Sequence, residues 1–175
     1  TLKNRYFELT NAHDKATTKQ EIDALLAKMV ADGRFDLGAY FSEVWQEQDG
    51  GFDIVIGNPP YVRHELIKAQ KKALETNFKD VYAGTADLYV YFYARGLQLL
   101  KKRGTLAYIT SNKFMRAGYG KKLRTHLTEK TTLHSVIDFG DLPVFDATAY
   151  PTIVITRSEP PTKQAQFNAL TVDTL

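Results

Sequence analysis

The sequence predicts an α/β domain, an open sheet with flanking helices. Three observations carry that expectation. Four short apolar runs rich in β-branched side chains, near residues 52–57, 104–110, 133–139 and 152–157, have the length and composition of buried strands. Helical stretches separate the first three of them. The first run ends abruptly at Gly57-Asn58-Pro59-Pro60-Tyr61, where each proline fixes its own φ and keeps the preceding residue out of the helical region. Composition sets the outer limits. With 175 residues, 43% of them hydrophobic and 25% charged, the chain is about one domain with enough apolar material for a core. No run of about 18 apolar residues suggests a membrane span, and the start lacks the basic-then-apolar pattern of a signal peptide. The absence of cysteine rules out a disulfide framework and a thiolate metal site. A cytoplasmic protein is expected, and a net charge of +3 is too small to argue for a nucleic-acid partner without regard to its distribution.

Taken in order, residues 1–16 read as helical, and Thr18-Lys19-Gln20-Glu21 fits a capping box at the start of a helix. Ile22, Leu25, Leu26, Met29 and Val30 follow at helical spacing and Gly33 suits a stop. Residues 35–45 read as apolar packing that leads into the first strand. After Tyr61, residues 65–78 read as a lysine-rich helix whose Lys68, Lys71, Lys72 and Lys79 suit a solvated face first and phosphate contacts second. Thr85 is placed to cap a helix running to about Arg103, with Lys101-Lys102-Arg103 in its last turn and Gly104 as its stop. A further helix is expected over 119–130. The stretch from Glu159, with Pro160 and Pro161, reads as an exit from the domain. The expected organisation is therefore a helical segment over 1–45, a sheet-bearing segment over 46–158 and an exit segment over 159–175.

The bracket Asn58-Pro59-Pro60-Tyr61 sits where open α/β sheets place their ligands, at the carboxyl end of a strand. It offers one amide, a run of main-chain carbonyls and one aromatic ring. An exocyclic amine on a purine is a poor nucleophile, because its lone pair is delocalised into the ring. Two acceptors aimed at its hydrogens, the Asn58 side-chain oxygen and the Pro59 carbonyl, would favour a tetrahedral nitrogen able to attack an electrophilic methyl group. Tyr61 supplies a face on which an unstacked base could lie, an interaction worth about 1–3 kcal/mol.

These four residues after an apolar strand resemble motif IV of the S-adenosylmethionine-dependent amino methyltransferases. Asp87-Leu88-Tyr89-Val90-Tyr91-Phe92, Gly104-Thr105-Leu106-Ala107-Tyr108-Ile109-Thr110 and Asp141-Leu142-Pro143-Val144-Phe145 follow in the order of motifs V, VI and VIII. Ser111-Asn112-Lys113-Phe114-Met115-Arg116 and Tyr119-Gly120-Lys121 are similar to the run after motif VI in such enzymes. Over residues 40–157 the chain resembles the gamma-class N6-adenine DNA methyltransferases, above all the methylase region of type IIG restriction–modification enzymes. The resemblance implies a partial Rossmann-like methyltransferase sheet, methyl transfer from S-adenosylmethionine to a flipped-out adenine, and double-stranded DNA as partner. It implies that Asn58 and Pro59 hold the target amine, that Tyr61 and Phe145 stack on the base, and that Pro60 and Phe92 border the methyl donor. Lys113, Arg116, Lys121, Lys122 and Arg124 lie in a basic stretch without an acidic residue, suited to DNA-backbone contacts or to a solvated helix face. His13, His64 and His134 show no ligand spacing, so no metal is expected.

The resemblance also implies a glycine-rich donor loop after a first strand and an acidic residue after a second. Residues 1–57 contain neither in the expected setting, and no DNA-reading domain follows motif VIII. The expectation is a catalytic, substrate-side fragment, inactive alone, whose strand at 52–56 lacks its usual neighbour and leaves an open edge. That edge would be covered by self-association or by the N-terminal helices. An RNA-base or protein-glutamine methyltransferase, and a non-catalytic DNA-binding or assembly module, remain the alternatives.

Overall fold

The computed structural model describes residues 2–33, 35–45, 49–146 and 150–174, and the chain divides into two compact units, residues 1–51 and 52–175. The first unit carries α1 (Leu2–Glu8), α2 (Ala12–Ala31), α3 (Leu37–Tyr40) and a single turn at Ser42–Trp45. Helix α2 begins earlier than the capping box suggests. The Asn11 side chain accepts from the amides of His13 (2.8 Å) and Asp14 (3.3 Å), so the start is already satisfied and Thr18 lies buried inside the helix. Among the described residues of this unit no apolar side chain is buried, and Phe7, Leu25, Val30 and Phe35 are exposed.

The second unit is a five-stranded sheet in the order β1-β2-β4-β3-β5, formed by β1 (Phe52–Gly57), β2 (Leu100–Ser111), β3 (Thr132–Asp138), β4 (Pro151–Arg157) and β5 (Asn168–Thr171). Strand β1 is parallel to β2 and β5 to β3, whereas β4 runs antiparallel to both of its neighbours. All four strands expected from the sequence are present. The fifth lies within residues 159–175, which therefore return to the sheet rather than simply leaving it; Asn168–Thr171 is a short run that the sequence pattern does not announce.

Helices α4 (Lys71–Asn77), α5 (Leu88–Leu99) and α6 (Lys121–Lys130) complete the unit. Tyr89, Tyr93, Leu97, Leu106, Tyr108, Leu123, Leu127 and Val154 share one buried cluster, so α5 and α6 pack on the sheet face that carries Leu106 and Tyr108. A Cβ on Gly96 would meet the Tyr108 hydroxyl at 2.5 Å and Leu106 Cδ1 at 2.6 Å, and only glycine lets α5 approach so closely.

Helices α4 and α5 of this unit also differ from expectation, and the cap position of α5 is Asp87 rather than Thr85. Helix α5 stops at Leu99, and Lys101, Lys102 and Arg103 belong to β2: Leu100 turns extended and is buried, so the chain enters the sheet without a loop. A register shift against Phe52 and Ile54 follows, with Arg103 at φ 65°. The lysine-rich helix is shorter than residues 65–78, because Val62 and His64 are tied to the start of α5 and Ile67 is buried; α4 begins only at Lys71.

Candidate active site at the carboxyl ends of the strands

Strands β1, β2 and β3 run in one direction, so the segments after Gly57, Ser111 and Asp138 emerge at the same end of the sheet. Reversed β4 begins at that end, which obliges the β3–β4 connection carrying Phe145 to cross it. The bracket after β1, the basic loop after β2 and the Phe145 segment are thus neighbours by topology, as ligand sites of open α/β sheets require.

The bracket is rigid at its base and open at its tip. Pro59 is buried while Asn58 and Pro60 are exposed. Neither the Asn58 amide nor the Pro59 carbonyl has a hydrogen-bond partner among the described residues. The Leu88 amide donates to the Val62 carbonyl (2.9 Å) and the His64 amide to Asp87 Oδ1 (3.1 Å). The segment after Tyr61 thereby satisfies a helix-start amide that the Asp87 side chain itself does not cap.

Tyr61 is half-buried between two rings. Its centroid lies 6.5 Å from that of Phe145 at an interplanar angle of 75°, and 6.4 Å from Tyr89 at 70°. The two rings expected to hold a base are therefore in contact with each other, edge to face. A base lying between two faces needs parallel rings about 7 Å apart, twice the ~3.4 Å stacking distance, so one ring must turn before a base can enter. The Tyr61 hydroxyl is buried without a hydrogen-bond partner among the described residues.

Beneath the pair lies an aromatic floor that sequence reasoning did not assemble. Tyr89 meets Phe114 at 6.4 Å, Phe114 meets Tyr93 at 5.8 Å, and Tyr93 meets Tyr108 at 5.4 Å. The Tyr93 hydroxyl is bonded to Thr110 Oγ1 and that of Tyr89 to the Tyr119 hydroxyl, each at 2.9 Å. Burial raises the Tyr61, Tyr89 and Tyr93 phenols above their ordinary range, and for Tyr89 the bond to Tyr119 adds to the rise. All three stay protonated near neutrality, so none supplies a base. The spacing of Tyr89 and Tyr93, one helical turn apart, was the signal that could have found this floor.

The loop Asn112–Gly120 is held as firmly. The Arg124 guanidinium donates to the Phe114 and Ala117 carbonyls, and a Cβ on Gly120 would meet the Phe114 carbonyl oxygen at 1.9 Å. Asn112 Nδ2 donates to Asp138 Oδ1 at 2.9 Å, joining this loop to the end of β3. Arg124, grouped in the sequence with cations available to DNA, is half-buried and holds the loop instead. Lys113, Arg116, Lys121 and Lys122 are exposed and make no ion pair among the described residues. Phe92 lies on the solvent side of α5, 37% exposed. No cluster of potential metal ligands occurs among the described residues.

Solved structures share this fold. The ATP-dependent Type ISP restriction-modification enzyme LlaBIII, bound to DNA, superposes with a TM-score of 0.53 at 16% identity, covering 78% of this chain and 12% of that one. A DrdV–DNA complex gives 0.51 at 14% identity, covering 70% and 15%. Sequence relatives are nearer. Type II methyltransferase M.BstVI of Geobacillus stearothermophilus is 36% identical over 148 residues, 81% of this chain and 25% of the relative. M.PaeR7I of Pseudomonas aeruginosa is 36% identical over 157 residues, 87% and 27%. Type II restriction enzyme and methyltransferase RM.Eco57I of Escherichia coli is 34% identical over 113 residues, 62% and 11%. The chain thus spans about a quarter or less of the length of these relatives. The family match begins at residue 2, so it takes in the N-terminal helices that the motif resemblance, starting near residue 40, had left out. With residues 2–145 matched, the chain belongs to the Eco57I restriction-modification methylase family.

Proposed function

We propose that this chain is the substrate-side catalytic part of a DNA adenine-N6 methyltransferase of a restriction–modification system, acting on a flipped-out adenine. The observation that carries the reading is the pair of unpartnered acceptors, Asn58 Oδ1 and the Pro59 carbonyl, beside the Tyr61–Phe145 ring pair. The two N6 hydrogens of adenine donate to these acceptors, which draws the nitrogen toward tetrahedral geometry and frees its lone pair. S-adenosylmethionine, when bound, supplies the electrophilic methyl group. Transfer would make the N–C bond as the donor's C–S bond breaks, and Asn58 Oδ1 and the Pro59 carbonyl would stabilise the positive charge on nitrogen until one N6 proton passes to solvent. Acceptors that stabilise this charge suffice, in keeping with phenols held protonated by burial.

Pro60 and Phe92, both exposed and apolar, are the residues assigned to border the donor. The glycine turn and acidic residue implied for its other end are not among residues 1–57, so donor binding by these 175 residues alone is expected to fail. Lys113, Arg116, Lys121 and Lys122 take backbone phosphates, and Arg124 positions the loop that carries the first two. The outer edge of β1, with Ile54 64% and Ile56 80% exposed, is the surface for self-association of the isolated chain.

The test is methyl incorporation into adenine-containing duplex by the full-length gene product. Asn58→Ala should lower turnover by about 10²–10³-fold, as does loss of one preorganised electrostatic contact elsewhere, with DNA affinity retained. Undiminished turnover in Asn58→Ala would refute the assignment.

A further inference from the structure

A flipped base leaves a gap in the duplex stack, and the unstacking costs a few kcal/mol per step. A side chain that occupies the gap offsets that cost. It must be apolar, exposed, rigidly mounted, close to the base pocket and flanked by cations for the neighbouring phosphates. Among the described residues, one meets all five conditions.

Leu66 is 79% exposed although it lies in a well-anchored segment. The anchors are the bond from the Leu88 amide to the Val62 carbonyl, the bond from the His64 amide to Asp87 Oδ1, and the burial of Ile67 at 4% exposure. The Leu66 amide itself donates to the Arg63 carbonyl at 3.0 Å, closing a tight turn that holds its side chain out. The segment leaves directly from Tyr61, and its Asp87 anchor lies two residues before Tyr89, the ring that touches Tyr61. Arg63, Lys68 and Lys72 are exposed around it and make no ion pair among the described residues. Glu65, the one carboxylate between Arg63 and Lys72, faces the imidazole of His64 at 3.4 Å. A bare leucine ringed by free cations is a poor match for a folded-protein partner and a good one for a base stack between two phosphate backbones.

We propose that Leu66 is the wedge that enters the duplex where the target adenine leaves it, with Arg63 and Lys68 on the adjoining phosphates. The proposal rests on the base-flipping reading above. It changes the standing of the lysines after the bracket from a solvated face to a second cationic bank opposite Lys113 and Arg116.

The experiment uses the full-length gene product and two duplexes: one carries 2-aminopurine at the mapped target position, whose fluorescence rises when the base leaves the stack, and the other carries adenine there for turnover, because 2-aminopurine has no N6 amine. Leu66→Ala should reduce that rise and the turnover by about tenfold or more on a matched target. Most of the loss should vanish when the target is mispaired, because flipping is then cheap. Leu66→Met, apolar and of similar volume, should behave as wild type. A Leu66→Ala protein that flips like wild type, or whose defect is the same on matched and mispaired targets, overturns the wedge. The base-flipping reading fails separately if the wild-type protein gives no fluorescence rise, and it stands without the wedge if the wild-type protein gives the rise and Leu66→Ala matches it.

Discussion

The two faces of the sheet differ more than any other two regions of the molecule. One face carries Leu106, Tyr108, Thr110, Val154 and Thr156, all buried, beneath α5 and α6. On the other, the strand registers align Ile56 with Ala107 and Ile155, and Ile109 with Ile153, Ile137 and Leu170. That face is equally apolar, yet Ile56 is 80% exposed and Leu170 53%. Composition alone would bury both faces; packing buries one. The site draws its rigidity from the covered face, since Tyr89 belongs to its core and touches the Tyr61 ring, with Phe114 and Tyr93 packed in turn behind Tyr89. The bare face and the free edge of β1 are where this unit remains unsatisfied.

The sharpest way to break this contrast is one truncation on each side. Leu106→Ala should cost about 2–5 kcal/mol in urea unfolding, because it opens a cavity in a filled core. Ile56→Ala should stay within about 0.5 kcal/mol. Comparable losses would mean that the outer face is covered in solution. Next in size, Gly96→Ala drives a methyl group into Tyr108 and Leu106 and should cost about 1–3 kcal/mol. A wild-type denaturation midpoint would show that α5 is mounted more loosely than its contacts indicate.

Ile54→Lys with Ile56→Lys should leave folding stability nearly unchanged and shift sedimentation of the isolated chain toward the monomer. A wild-type chain that is already monomeric at high concentration removes self-association through this edge. The smallest effect lies on the covered side. Burial holds the His126 imidazole below its ordinary value of 6.5, with Asp80 opposing and Lys130 adding to the shift. The unfolded chain then takes up the proton first. The associated stability is complete above pH 6.5 and is lost as pH falls through the lower folded value. His126→Gln should flatten that part of the stability–pH curve.

The covered face was largely legible in the sequence because strands β1 to β4 carry dense β-branched runs, and the bracket because two prolines punctuate the first of them. What escaped notice depends on contacts distant in sequence. Lys101, Lys102 and Arg103 look like a helix end, yet pairing with β1 and burial of Leu100 draw them into β2. Arg124 reads as one more cation until the carbonyls of Phe114 and Ala117 are found within its reach. Strand β5 is four exposed residues without alternation, and only the free edge of β3 gives it a place. Tyr61 and Phe145 were identified singly, but their edge-to-face contact is a property of two loops meeting.

The direction of β5 also decides where attachments can be made. It runs parallel to β3, and the Val172 amide donates to the Asp138 carbonyl at 2.9 Å, so the chain comes off the sheet at the end where Phe145 and Asn58 lie. On the proposed function, a bulky insertion after Thr171 would therefore stand at the rim of the mouth proposed to face DNA and compete with docking. A small fluorophore on the same residue would turn that crowding into a signal, its emission changing as duplex arrives.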